Sequence, residues 1–100
     1  MKKTFVVTGA SRGIGFDLVK HIAAKGHTVF ALSRNLKSLQ TEEMIHPVSL
    51  DITDEKALEN FAKKLRADNI VIDALINNAG ALLNKPFSET SKRISKLFME

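Results

Sequence analysis

The glycine-rich segment at residues 8–15 has the clearest chemical potential in this sequence. Gly9, Gly13 and Gly15 follow an apolar run and open an amphipathic stretch in the spacing G-x-x-x-G-x-G. A strand that turns into a helix here would aim the unpaired N–H groups and the positive dipole end of the helix at one point. Gly9 would allow the turn, Gly13 the approach of a phosphate, and Gly15 close packing of helix on strand. The segment predicts a phosphate or pyrophosphate site, with an ordinary tight turn as the alternative.

A second candidate site follows the next apolar run. Ser33 comes twenty positions after Gly13, where a dinucleotide site usually has an acidic residue against the adenosine ribose. Ser33 and Arg34 offer a hydroxyl and a guanidinium instead, and Arg12 could approach from the glycine turn. A guanidinium binds a 2′-phosphate that a carboxylate would repel, so the chemistry favours NADP(H) over NAD(H). The alternative is that Arg34 is a solvated residue after a strand.

Two further segments could contact the rest of such a ligand. Asp51 ends the third predicted strand, where its carboxylate could accept a hydrogen bond from an adenine amino group. It could equally be a turn residue that stabilises its own backbone. Residues 77–80, Asn-Asn-Ala-Gly, end the fourth strand, and their small side chains would let the chain pass close to a ribose. Taken alone, that segment is merely a loop.

Alternating strands and helices must position these sites. The apolar runs predict strands at 5–7, 28–32, 45–50 and 71–76. The first predicted helix is ended by Gly26 and has these residues on its buried face: Ile14, Leu18, Ile22 and Ala23. A short second helix covers 36–42, and a third is capped by Thr53 and has an apolar stripe of Ala57, Leu58, Phe61, Ala62 and Leu65. The last helix is capped by Ser88 or Thr90, and its apolar residues are Ile94, Leu97 and Phe98.

This alternation predicts an α/β fold, a Rossmann-like doubly wound parallel sheet with helices on both faces. Pro47 cannot donate to a strand ladder, so its strand should lie at an edge, which gives the order 3-2-1-4. The connections then reverse direction between strands 1 and 4, where such sheets bind ligands. The crevice should lie between residues 9–15 and residues 77–80. The 100 residues are expected to form one dinucleotide-binding domain, truncated on one side.

The charge and the residue composition indicate which kinds of binding partner to expect. Fifteen basic residues against eleven acidic ones give a formal charge of +4, dispersed along the chain, and all six aromatic residues are Phe. This argues against nucleic-acid binding and suits an anionic cofactor. No apolar run could span a bilayer, no secretion signal is evident, and cysteine is absent, so we expect a cytoplasmic protein without membrane partners. His21, His27 and His46 do not have metal-ligand spacing, and we expect structural or surface roles for them.

Together these motifs resemble the short-chain dehydrogenase/reductase family. That family has a cofactor turn T-G-x-x-x-G-x-G, present here at 8–15, a strand end N-N-A-G, present at 77–80, and an adenine-contacting acid, matched by Asp51. The resemblance runs from Lys3 to about Met99 and implies reversible hydride transfer between a nicotinamide cofactor and a carbonyl or alcohol. It implies these contacts: Ser11, Arg12, Gly13 and Ile14 with the pyrophosphate and nearby ribose phosphate; Ser33 and Arg34 with the 2′-phosphate; Asp51 and Ile52 with adenine; Asn78, Ala79 and Gly80 with the ribose region.

The chain departs from the family at the catalytic residues. The family uses a Tyr, with a Lys four positions later and an assisting Ser and Asn, but this sequence contains no Tyr. Ser91, Lys92, Ser95 and Lys96 lie on the wrong element to replace them, so we predict no catalytic residue in this chain. We expect the cofactor-binding amino-terminal part of a reductase, inactive by itself, whose carbonyl or alcohol substrate binds only the complete enzyme. The alternative is a non-catalytic dinucleotide-binding or assembly module.

Truncation would also leave apolar surface without cover. The fourth strand would present an open edge, and the Ile94, Leu97 and Phe98 stripe would lack a partner. We therefore expect self-association.

Overall fold

The part of the chain that the structure describes contains four strands and two longer helices. The computed structural model describes residues 2–10, 13–35, 41–77 and 95–98. The elements are β1 (Thr4–Thr8), α1 (Gly13–Ala24), β2 (Thr28–Ser33), β3 (Ile45–Ser49), α2 (Glu55–Ala67) and β4 (Ala74–Asn77). Residues 95–98 are also helical. The short helix predicted over 36–42 lies mostly outside the described residues, and Thr41 and Glu42 are not helical.

The four strands form one parallel sheet in the order β3-β2-β1-β4, which confirms the predicted topology. Pro47 lies on the edge strand β3, opposite Ala31, so its missing N–H group interrupts no central pairing. Thr8 pairs with Leu32 on one side and with Asn77 on the other. The carboxyl ends of all four strands therefore lie along one edge of the sheet.

Helix α1 packs on one face of the sheet and helix α2 packs on the other. On the first face, Val19 and Ile22 of α1 pack with Val7, Val29 and Ala31. On the second face, α2 packs against the opposite sides of the same strands. Its buried residues there are Leu58, Ala62 and Leu65, as the periodicity predicts, and Val6 and Leu32 belong to the same core. Because successive side chains of a strand point to opposite faces, β1 and β2 contribute residues to two separate cores.

Helices α1 and α2 are both followed by a residue of positive φ and by the same pattern of backbone hydrogen bonds. After α1, Gly26 has φ +88°, its N–H donates to the Ala23 carbonyl at 2.9 Å, and His27 donates to Ile22 at 3.3 Å. This pair of bonds satisfies the last helical carbonyls and confirms Gly26 as the terminator. After α2, Asn69 takes the equivalent left-handed conformation at φ +59°.

The start of α1 differs from the prediction. Ile14 is 72% exposed, and the buried face of the helix consists of Gly15, Val19 and Ile22. The predicted face was therefore wrong at Ile14 and missed Val19, which is fully buried, whereas the predicted Leu18 is half-buried. Gly15 is buried directly after Ile14, so the buried face is displaced by one residue from the predicted one.

Thr53 is not the cap of α2. The N-cap is Asp54, whose carboxylate accepts a hydrogen bond from the Ala57 N–H group at 3.1 Å. Thr53 instead donates to Asp51. The prediction was one residue early because Thr and Asp are both good caps and stand side by side.

The fourth strand begins at Ala74 rather than at Val71. Asp73 closes its start, since its N–H group donates to the Thr4 carbonyl and its carboxylate accepts from the Thr4 N–H group, both at 2.8 Å. Ile72 is buried in the core under α2, whereas Val71 is 75% exposed. The apolar run therefore contains a loop as well as a strand.

The expectation that Leu97 and Phe98 lack a partner is also wrong. Both pack against the core under α2, and the Phe98 and Phe61 rings meet edge to face with centroids 5.6 Å apart. Ile94 lies outside the described residues. Helix α2 is the partner that the sequence pattern did not reveal, because the contact joins residues far apart in the chain.

No helix among residues 2–10, 13–35, 41–77 and 95–98 has the length and apolar character to cross a membrane.

Replacing the α2 cap tests the corrected assignment. Asp54→Ala should lower the free energy of unfolding by about 1 kcal/mol, because the Ala57 N–H group loses its acceptor. Urea denaturation followed by circular dichroism measures this change. Asp54→Asn keeps an acceptor at the cap and should cost much less. A larger loss in Thr53→Ala than in Asp54→Ala would instead favour Thr53 as the cap.

Candidate functional site

The glycine turn lies at the centre of the carboxyl edge. Strand β1 has a strand on each side, and the turn begins directly after it with Gly9 at φ +62°. Ala10 is fully buried, and its N–H group donates to the Leu32 carbonyl at 3.2 Å, which attaches the turn to the end of β2. The start of α1 is thereby held against a rigid sheet.

Gly13 has both the conformation and the space that a bound phosphate group would need. It is the first residue of α1, its φ is +63°, and a β-carbon placed on it would meet no atom within 4 Å. Gly26 is equally open, so openness alone is not specific. Of these two glycines, only Gly13 has the N–H groups of a helix start beside its open side, and these groups attract anions.

Ser33 and Arg34 follow β2 at the same edge. The Ser33 hydroxyl donates to the Asn35 carbonyl at 3.1 Å and accepts from the Asn35 N–H group at 3.2 Å. Because its only proton is used in that bond, the hydroxyl must rotate before it can donate to a ligand. Arg34 is exposed and carries the local positive charge.

Asp51 follows β3 and has a closely organised carboxylate. Its Oδ1 atom accepts hydrogen bonds from the Thr53 N–H group at 2.9 Å and from the Thr53 hydroxyl at 2.7 Å. These hydrogen bonds lower the pKa of Asp51. Burial opposes them, and the Arg34 charge, a smaller effect than burial, also lowers the pKa. Asp51 thus stabilises its own turn through Oδ1, and its contact with adenine stays a prediction.

The histidines have contacts away from this edge. The His27 Nδ1 atom accepts from the Lys3 N–H group at 3.0 Å, and its ring meets that of Phe5. His46 stacks on Phe30 with ring centroids 5.1 Å apart, and His21 is exposed. Within the described segments, no three His, Asp or Glu side chains form a group that could hold a metal ion.

The described site residues therefore lie along one edge of the sheet. Gly9, Gly13 and Gly15 follow β1, Ser33 and Arg34 follow β2, and Asp51 and Ile52 follow β3. The edge offers amides and a guanidinium for anions and a carboxylate for a hydrogen-bond donor. Ser11, Arg12, Asn78, Ala79 and Gly80 lie outside the described residues.

Sequence reasoning missed the part that Thr53 plays. It was assigned to the helix cap, yet both of its donors bind the Asp51 carboxylate. The spacing Asp-x-Thr could have indicated this, because an Asp side chain commonly accepts from the backbone two residues later.

Known proteins are similar in sequence to this chain over almost its whole length. Residues 3–99 match the sequence profile described as short chain dehydrogenase. The chain is 37% identical over 92 residues to a protein of Dichelobacter nodosus named "Probable NADP-dependent dehydrogenase in aabA 3'region", and the match covers 87% of each chain. Other curated relatives are longer, and the matches cover between 29% and 38% of their lengths.

Solved structures share the fold. A short-chain dehydrogenase from Streptomyces avermitilis matches 99% of this chain with a TM-score of 0.84 and 23% identity. One from Leptospira borgpetersenii, solved with bound NAD+, matches 77% of the chain with a TM-score of 0.73 and 27% identity. The matched regions are 44% and 31% of those two proteins, so this chain spans less than half of either.

The Asp51 carboxylate provides a test of the site's electrostatics. Its pKa should lie below the ordinary Asp value, so its stabilising effect is present at neutral pH and is lost as the pH falls through that lowered pKa. Thr53→Val should raise this pKa more than Arg34→Leu does, because it removes the hydroxyl hydrogen bond, the largest cause of the lowered pKa. Carboxyl NMR titration measures the pKa in the unaltered chain and in both variants. A larger rise in Arg34→Leu would contradict the assignment.

Proposed function

The chain belongs to the short-chain dehydrogenase family, and from that premise we propose that it forms the NADP(H)-binding part of an oxidoreductase. The complete enzyme would transfer hydride between the nicotinamide and a carbonyl or alcohol. The observation that carries this proposal is the common edge at which the turn after β1, Arg34 after β2 and Asp51 after β3 are aligned.

The pyrophosphate would bind at the start of α1. Gly13 leaves open space beside the first amides of the helix, and the exposed Ile14 would cover one side of the ligand. The N–H groups and the helix dipole favour a negative charge at this point. Gly9, Gly15, Ser11 and Arg12 complete the proposed turn, the last two by the family match.

The 2′-phosphate would bind at Arg34. The guanidinium is exposed after β2 and can form charge-assisted hydrogen bonds with phosphate oxygens. Ser33 would contribute less, because its hydroxyl already donates to Asn35. NADP(H) is therefore preferred to NAD(H), a preference that the name of the Dichelobacter nodosus relative supports and the NAD+ of the Leptospira structure does not.

The adenine would lie beyond Arg34 at the end of β3, and the ribose region would lie on the other side of the glycine turn, at the end of β4. Asp51 and Ile52 would contact adenine, with Ile52 anchored in the core under α2. Asn78, Ala79 and Gly80 would approach the ribose region. The nicotinamide, once bound, accepts or donates the hydride. These residues of the chain bind and orient the dinucleotide, and none of them is assigned as a proton donor.

Other expectations from the sequence stay predictions. They are self-association, a cytoplasmic location, the absence of nucleic-acid and membrane partners, and a carbonyl or alcohol substrate for the complete enzyme. A non-catalytic dinucleotide-binding or assembly module stays the second candidate, since the sequence contains no Tyr. Hydride transfer by a longer form of the protein would exclude this second candidate.

Two glycines provide a matched test of the phosphate site. Gly13 and Gly26 both have positive φ and open space, but they lie at opposite ends of α1. Alanine at either position should cost about 1 to 2 kcal/mol of stability through backbone strain. Only Gly13→Ala should weaken NADPH binding, by about tenfold or more if one charge-assisted hydrogen bond is lost. Nicotinamide fluorescence measures the affinity. Equal affinities in the two variants would contradict the proposal.

Arg34 provides the test of cofactor preference. Arg34→Glu should weaken NADPH binding by about tenfold or more, since it removes a charged donor and adds a repelling carboxylate. NADH binding should change much less. Lys63→Glu on the exposed side of α2 makes the same change in charge away from the strand ends and should leave the preference intact. Equal binding of NADPH and NADH by the unaltered chain would refute the Arg34 assignment.

A further inference from the structure

Strand β3 lies at one end of the described sheet, so one side of its backbone faces away from β2. An edge of this kind is where an extended segment of another chain commonly adds by backbone hydrogen bonds. Two bonds show which backbone groups face β2. The Val29 N–H group donates to the Met44 carbonyl at 2.8 Å, and the Leu50 N–H group donates to the Ser33 carbonyl at 3.0 Å. The backbone groups of Met44 and Leu50 therefore point inward.

Three residues of β3 have backbone groups that point outward, because these groups alternate in direction along a strand. They are Ile45, Pro47 and Ser49. Ile45 is already paired within the chain, since its N–H group donates to the Glu42 carbonyl and its carbonyl accepts from the Glu42 N–H group, both at 3.2 Å. Pro47 has no N–H group to donate. Of these three residues, Ser49 is thus the one that offers an outward N–H group to an added strand.

The segment that pairs with Ile45 is attached to the rest of the fold. The Glu42 carboxylate forms an ion pair with the Lys20 ammonium group of α1, with Oε1 and Nζ 3.2 Å apart. The Thr28 hydroxyl of β2 lies 4.0 Å from the Met44 sulfur. The ion pair is about half exposed and contributes little by itself. The two backbone bonds between Glu42 and Ile45 are therefore the main closure of this edge.

The chain turns away from the edge directly after Ser49. The Leu50 N–H group faces β2, and the Asp51 carbonyl accepts from the Asp54 N–H group at 2.9 Å. An added strand would find the Pro47 carbonyl and the backbone groups of Ser49 as its partners on β3. One backbone hydrogen bond adds little net free energy, so so short a stretch would not hold a strand.

We propose that the segment 42–47 closes the outer edge of β3, so that a second copy of this chain does not extend the sheet on this side. Addition of a strand is then directed to β4, at the other end of the described sheet. There the Asp73 N–H group donates to the Thr4 carbonyl of β1, so the backbone groups of Ala74 and Ile76 point outward. This closure does not depend on the proposed cofactor site.

Moving the proline along the edge tests the closure. Pro47→Val supplies a second outward N–H group beside that of Ser49. Self-association through β3 should strengthen by about tenfold or more, because each of two paired copies gains a backbone hydrogen bond. Sedimentation velocity over a range of concentrations measures the association. The double variant of Pro47→Val with Ser49→Pro is the matched control. It again has one outward N–H group and should associate as the unaltered chain does.

Amide hydrogen exchange measured by NMR identifies the edge that pairs. In the unaltered chain, the Ser49 N–H group should exchange at a rate that is independent of protein concentration. In Pro47→Val it should become protected as the concentration rises. The Ile76 N–H group reports on the β4 edge in the same spectra, and protection at Ile76 without protection at Ser49 in the unaltered chain supports the proposal.

Two results would overturn the closure of β3. One is concentration-dependent protection of the Ser49 N–H group in the unaltered chain, which would mean that the edge is open. The other is a folded Pro47→Val chain that associates no more strongly than the unaltered chain and leaves Ser49 unprotected. Thermal denaturation identifies a variant that has not folded, and exchange at Ser49 in the unaltered chain then still decides.

Discussion

The structure depends on the burial of β1 between two strands and two helices. Val6, Val7 and Thr8 are fully buried, and both edges of β1 are paired. A strand held on four sides cannot shift its register without exposing apolar side chains. The turn that follows it is thereby fixed in space, and the conformations of Gly9 and Gly13 can place the start of α1 at a defined point. The described part of the proposed phosphate site is held in place by this burial and by the hydrogen bond from the Ala10 N–H group to the Leu32 carbonyl.

Much of the fold could be predicted because its pattern is local. Continuous apolar runs indicated strands buried on both faces, the stripe of α2 was correct, and Pro47 placed β3 at the edge. Parallel pairing then brought Ser33, Arg34 and Asp51 to one edge without any information on distances. The turn after β1 could be predicted for the same reason, since glycine is the residue that adopts positive φ at low cost.

The errors occurred where adjacent residues were equally suitable for the same structural position, or where a contact joins residues far apart in the chain. Thr53 and Asp54 are both suitable caps, and only the structure shows that the Thr53 donors are engaged by Asp51. The run from Val71 to Ile76 is uniformly apolar apart from Asp73, so it does not show where the strand begins. The partner of Phe98 is Phe61, which periodicity within either segment could not identify.

The positive charge of Arg34 acts on two parts of the proposed site. Arg34 follows β2 and is assigned to a phosphate, yet its charge also lowers the pKa of Asp51 after β3. A bound phosphate would neutralise part of that charge, but the two Thr53 hydrogen bonds are the larger cause and would persist. The lowered pKa of Asp51 therefore depends little on whether an anion is bound at Arg34.

The paired bonds between Thr4 and Asp73 join residues separated by 69 positions. During synthesis, β4 leaves the ribosome only after β1, β2, β3 and α2. Throughout that interval, the second side of β1 is an unpaired strand edge with apolar flanks, the kind of surface that other nascent chains and chaperones bind. The closure of that long loop also costs chain entropy before any contact repays it, so assembly of β4 should be the slow step in folding.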